Sequence, residues 1–198
     1  MPMRPISFNI NYSDFTNNPY PVFAELRNSA PISFVPELDA ILLTKHSDIF
    51  KCEKNISVFS SVQPDGLMTK LMGQNMMRKD GEDHKAERRT IFPTVSPKTT
   101  QKVWKQKFVD HTKSILESLS DQDLIDVVNE FAKPVSAQAL KSVTGLTNMT
   151  WQEMDRVSQG MIDGCANYIR DPIVEKNCYD CTRSIDNHIH ERMEQGLG

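Results

Sequence analysis

The sequence predicts a mainly α-helical fold with a small β-hairpin near the N-terminus. Three observations carry that prediction. From residue 81 onward, apolar side chains recur at three- and four-residue spacing between clear capping residues. Before that point, two short β-type runs flank a four-residue turn. Composition is ordinary for a globular domain: 198 residues, 38% hydrophobic and 25% charged.

Bulk properties exclude several classes. The 23 basic and 26 acidic residues leave a net charge of −3, so the chain as a whole is no polyanion or nucleic-acid binder. No apolar run is long enough to span a bilayer. Residues 1–10 lack a signal-peptide core, and a cytoplasmic location is expected. Four cysteines in a chain of this length do not make a disulfide scaffold and are read as reduced thiols.

The elements follow in order. Residues 1–15 are polar and read as irregular. Pro21 is placed to open a short helix through Arg27. Residues 32–35 and 40–44 read as the two strands of a hairpin, turning at Pro36-Glu37-Leu38-Asp39. Ser47 and Asp48 suit the N-cap of a short helix ending near Asn55. Residues 57–74 show no clean period and read as a loop. A helix is expected from Glu82 to about Val95. A second follows Ser96-Pro97, with Trp104, Phe108, Ile115 and Leu119 at helical spacing. A third runs from Asp126 to a stop at Gly145. Thr150-Trp151-Gln152-Glu153 reads as a capping box opening a fourth, with Trp151, Met154, Val157 and Met161 on one face. Asp171-Pro172 caps a fifth that runs to about Gln195, and Gly196 ends it.

The stretch from Met76 to Arg89 carries the chemistry. His84 and Arg88 are four apart, hence on one helix face, and Ile91 and Val95 extend it. Donors above an apolar patch suit a flat amphiphile with a charged edge. An arginine fork can grip a carboxylate with two parallel bonds, each contributing about 1.5–3 kcal/mol. Spacing alone is equally that of a solvated helix face.

The surrounding pattern is more specific. Asp80-Gly81-Glu82-Asp83-His84, then Arg88-Arg89, Phe92-Pro93 and Ser96-Pro97, resembles the helix-C region of soluble bacterial cytochromes P450, the haem-thiolate monooxygenases. Other pieces are similar in the same order: Pro19-Tyr20-Pro21 through Arg27 to the first helix, residues 30–34 and 40–44 to the first hairpin, Phe59-Ser60-Ser61 to a Phe-Ser-Ser segment, and Phe131-Ala132-Lys133-Pro134 to the start of helix E. The resemblance spans roughly residues 16–195. It implies the N-terminal half of the cytochrome P450 fold, helices A to G, as one partial domain over residues 1–198. It implies haem b as cofactor, with His84 and Arg88 on the propionates, and insertion of one oxygen atom from O2 into a small organic substrate. The oxygen-activating helix and the loop carrying the iron-ligating cysteine have no counterpart. No catalytic residue and no metal ligand is therefore assigned, and Cys52, Cys165, Cys178 and Cys181 are not drafted into the thiolate role. The chain alone is expected to be inactive.

The family likeness makes residues 62–77 and 167–172 the expected substrate-access elements, with Leu67, Met68, Leu71 and Met72 as pocket candidates. It also makes the segment 78–107, with nine basic and four acidic residues, a docking surface for an acidic ferredoxin- or flavodoxin-type electron donor near Lys85 and Arg89. Solvated basic faces are common, and apolar side chains there could equally cover the core. Cys178-x-x-Cys181, with His188 and His190 downstream, has zinc-site spacing. The same cysteines lie on an apolar stripe with Val174, Ile185 and Ile189, which favours core packing. Two other functions stay open: a self-standing helical haem- or ligand-binding module, and a non-functional truncation.

Overall fold

A computed structural model describes residues 5–167 and 169–196. It divides the chain into two compact units, residues 1–61 and 62–198.

The first unit holds the sheet. Strand β1 (Ile6–Ser7) pairs parallel with β2 (Ile32–Val35), which pairs antiparallel with β3 (Ala40–Leu43) in the register Ile32↔Leu43 to Val35↔Ala40. The expected hairpin is there, turning through a 3-10 segment whose last residue, Asp39, takes a left-handed φ of 47°. Two elements depart from the expected irregular start. β1 is fixed by pairing Ile6 with Ser33 and Ser7 with Phe34, and Phe8 N–H donates to Phe34 C=O at 2.9 Å. Helix α1 (Tyr12–Asn17) is capped by Asn11, whose Oδ1 accepts from Asp14 N–H, and Phe15 meets Phe23 edge to face. Helix α2 (Tyr20–Ser29) follows with Pro21 in its first turn, and buries Leu26. Leu26 and Val35 form the unit's core beside Ser33, whose buried hydroxyl donates to Ala30 C=O. Helix α3 (His46–Cys52) starts a residue or two earlier than expected, with Lys45 as N-cap. Ser47 and Asp48 lie inside its first turn, and the helix stops at Cys52, short of Asn55.

The second unit is helical. Helix α4 (Leu67–Met72) lies within the segment expected to be a loop; Gly66 precedes it and Gly73, at φ 76°, ends it. Six residues are too few to show a period, and the helix is held by packing on α9 and α10. After a 3-10 turn (Met76–Arg78) come α5 (Gly81–Val95), α6 (Pro97–Thr99), a wider π-helical stretch (Thr100–Trp104) and α7 (Lys105–Ser118). The expected third helix is divided. A π-helical turn (Val127–Ala132) precedes α8 (Lys133–Thr144). Pro134 explains the break: it has no N–H for the Glu130 carbonyl, and its ring crowds that oxygen. Gly145 ends α8 at φ 76°. Helices α9 (Trp151–Cys165) and α10 (Pro172–Glu194) begin where expected, capped by Thr150 and Asp171. The capping box is only half formed. Thr150 Oγ1 accepts from Glu153 N–H at 3.1 Å, but the Glu153 carboxylate does not turn back. It takes Arg156 Nε at 2.7 Å and the Ser184 hydroxyl at 2.6 Å, tying α9 to α10.

The core of this unit gathers Ala137, Leu146, Met149, Met154, Val157 and Cys181, with Trp151, Met161 and Ile185 against it. The α9–α10 contact is unusually close. A Cβ on Gly160 would stand 2.5 Å from Cys181 Sγ, and one on Gly164 would stand 2.5 Å from Cys178 Cβ.

Two outcomes follow for stability. Gly164→Ala gains helix propensity but must push α10 away, and urea unfolding should show a net loss of about 1–3 kcal/mol. The Glu153 carboxyl is held down to about 2, chiefly by its bonds to Arg156 and then by Ser184 and the nearby charges of Arg156 and His188. A depressed acid stabilises the fold fully above its ordinary value, 4.5, and loses that contribution as pH falls through 2. Arg156 is half exposed, so screening limits the effect to about 1 kcal/mol. Unfolding free energy should fall across that window, and Glu153→Gln should flatten the fall.

Candidate functional site

Helix α5 positions the candidate site. The chain enters it through Gly81, whose φ of 57° strains any side-chain-bearing residue, so glycine suits the turn after Asp80. Pro93 sits inside the last turns, and the helix ends at Val95. Ser96 then accepts from Thr99 N–H and starts α6.

No residue of α5 is buried. His84 and Arg88 are exposed, one turn apart on the same face, and Ile91, Phe92 and Val95 are 38%, 47% and 43% exposed. The other basic residues on the helix are engaged, as are Glu82 and Glu87. Glu82 accepts from Lys85 at 2.8 Å and from Arg89 at 3.4 Å, and Lys79 reaches Glu87. The Glu82 carboxyl is lowered first by its bond to Lys85 and by that ammonium's charge. Arg88 finds no carboxylate among the described residues; its guanidinium lies 5.8 Å from the Phe92 ring. The His84 ring likewise has no hydrogen-bonding partner among them. The face therefore offers two uncommitted donors beside exposed apolar side chains, which fits a planar amphiphile carrying carboxylates.

The other expected site residues are placed as follows. Leu67, Met68, Leu71 and Met72 are all on α4 and all half-buried. Leu71 is set against α9, with Cδ1 3.3 Å from where a Gly164 Cβ would be, and its carbonyl accepts from the Thr182 hydroxyl. Lys85 and Arg89 are exposed as a docking surface requires, but both lean on Glu82, which offsets part of their charge. Of the segment 167–172, Tyr168 lies outside the described residues.

Cys178 and Cys181 are fully buried between α9 and α10, their thiols pushed up first by burial. Arg156 Nη1 approaches Cys181 Sγ at 3.3 Å. Core packing accounts for the Cys-x-x-Cys spacing, and no group of three metal-binding side chains occurs among the described residues.

Residues outside the sequence reading also shape the site. Lys79 and Glu87 are eight apart, which no local spacing rule flags. Asn75, Met76, Met77, Glu87, Thr90 and Ile91 line a cleft of about 400 Å³ along one flank of α5.

The fold is that of a cytochrome P450 over about half its length. Cytochrome P450 CYP109Q5 from Chondromyces apiculatus superposes with a TM-score of 0.71 at 16% identity, covering 96% of this chain and 47% of that one. CalO2 superposes at 0.65 with 18% identity, covering 97% and 50%. The sequence is also similar to cytochrome P450 130 of Mycobacterium tuberculosis, 25% identical over 209 residues, and to pulcherriminic acid synthase of Bacillus subtilis, 18% identical over 191 residues. These alignments cover 91% and 92% of this chain but 50% and 45% of the relatives, so the chain spans about half their length. No family model matches. No helix among the described residues is long and apolar enough to cross a membrane.

Proposed function

We propose that this chain is the haem-propionate-anchoring and substrate-covering part of a haem-dependent monooxygenase. The observation that carries the reading is the state of α5. Lys85 and Arg89 pair with Glu82, and Glu87 pairs with Lys79 from before the helix, whereas Arg88 and His84 are left uncommitted beside Ile91 and Val95. Arg88 would hold one propionate through its fork, and His84 would donate to a propionate one turn earlier. When bound, haem b would supply the redox chemistry that, with two electrons from a donor and two protons, delivers one oxygen atom of O2 to the organic substrate and releases the other as water. The protein's own part is to orient that group and exclude water around it. Helix α4 would lie over the substrate, with Leu71 anchoring it to α9 and with Leu67, Met68 and Met72 as contacts. The free thiols of all four cysteines agree with a reducing, cytoplasmic setting.

Absorbance titration of the chain with zinc protoporphyrin tests the anchoring without requiring an iron ligand. Arg88→Ala is expected to weaken binding about tenfold or more. Equal affinity in the variant and the parent would count against the assignment.

We further propose that an acidic ferredoxin- or flavodoxin-type donor docks over Lys85 and Arg89. Charge on such a surface mainly sets association rate and salt dependence. Reversing both residues to glutamate should abolish low-salt binding of an acidic ferredoxin, whereas Glu82→Gln, which releases both, should strengthen it. Binding indifferent to both changes would rule this surface out.

A further inference from the structure

A helix of α5's length is marginal in water without tertiary support, and α5 buries none of its fifteen residues. Polar tethers hold it instead. At its C-terminal end, Trp104 Nε1 donates to Thr94 C=O at 2.7 Å and the Thr99 hydroxyl donates to Pro93 C=O. At the other end, the Lys79 ammonium donates to the Glu87 carboxylate.

That pair differs from the other ion pairs of the helix. Lys79 and Glu87 are 23% and 40% exposed, against 63–75% for Lys85, Arg89 and Glu82. Less solvent means less screening, so the attraction and its geometry both count for more. The segment that bears Lys79 is itself ordered. Asn75 Oδ1 accepts from Met77 N–H at 3.0 Å, and Gly81 reverses the chain into the helix. Glu87 stands one turn beyond His84 and next to Arg88. A bond from Lys79 to Glu87 therefore fixes the two turns that carry both donors, from the flank they do not use.

We propose that Lys79 and Glu87 are positioning residues that pre-organise His84 and Arg88 for the porphyrin carboxylates. The inference rests on the haem reading above. Its physical content is entropic: donors already held in place lose less freedom when the ligand arrives, so affinity rises without a new contact.

The test uses the full chain, zinc protoporphyrin and three variants: Lys79→Gln, Glu87→Gln, and the reversed pair Lys79→Glu with Glu87→Lys. Each single variant is expected to weaken porphyrin binding about fivefold, and the reversed pair to restore most of it. Hydrogen exchange without porphyrin gives a second readout. The amides of His84 and Arg88 should exchange faster in each single variant and slow again in the reversed pair. A purely electrostatic effect of lost charge on the ligand would leave exchange unmoved, which overturns the inference. Porphyrin affinity equal in the parent chain and both single variants overturns it too, while leaving the haem reading intact. A parent chain that binds no porphyrin overturns the haem reading, and the inference with it.

Discussion

The helical unit depends on the close approach of α9 and α10. Gly160 and Gly164 lack the Cβ atoms that would collide with Cys181 and Cys178, so two helix backbones meet with only a thiol between them. Cysteine is the side chain that fits: small, apolar, and larger than the alanine that would leave a void. With the axes so close, polar groups flanking the seam come within reach. Glu153 on α9 takes Arg156 of its own helix and Ser184 of α10, and Arg156 reaches across to the Cys181 sulfur. The seam also provides the surface on which α4 rests, through Leu71 and Thr182. Six residues with no helical period of their own become a helix because this surface exists.

α5 is built on the opposite plan. The α9–α10 pair is fixed by burial and would survive loss of any one surface bond. α5 has no buried residue and is held by a few bonds at its two ends. The difference suits the roles proposed for them. A scaffold gains from contacts that leave nothing exposed. A helix that binds an amphiphile must keep its apolar side chains and donors open until the ligand covers them, so it cannot also draw its stability from covering them itself.

How much of this could be read from the residues follows from how local each feature is. The long helices announce themselves by caps and periodicity: Thr150, Asp171 and Gly145 all do in the structure what their types suggest. β1, α1 and α4 escaped because they are two to six residues long. β1 exists through Ile6 pairing with Ser33, and α4 through contacts as distant in sequence as Leu71 with Thr182. Composition around them looks like loop because locally it is. The Thr150 capping box misled in a smaller way. Its spacing is right, but Glu153 had stronger partners than the backbone N–H behind it: Arg156 one turn along and Ser184 on α10. At the candidate site, the shared face of His84 and Arg88 is pure helix geometry and was legible. The tether from Lys79 was not, because a reversal at Gly81 lies between it and Glu87.

Which cations on α5 stay uncommitted is also written in the spacing, though not in a motif. On a helix, partners sit three or four residues away. Lys85 has Glu82 three residues before it. Arg89 reaches the same carboxylate from the next turn. Arg88 has His84 and Lys85 behind it and Ile91 and Phe92 ahead, so no carboxylate stands at any of its four neighbouring positions. It is left against the Phe92 ring. An exposed guanidinium in that state costs almost nothing, since water solvates it. A carboxylate arriving on a planar apolar group changes the balance. It displaces that water from Ile91 and Val95 while offering the fork two oxygens, so burial and pairing are gained in one event. A helix meant only to be solvated would gain from an acid placed at residue 84, 85, 91 or 92. Arg88 is the arginine on α5 that lacks that stabilising pair among the described residues, and an anionic ligand would complete it.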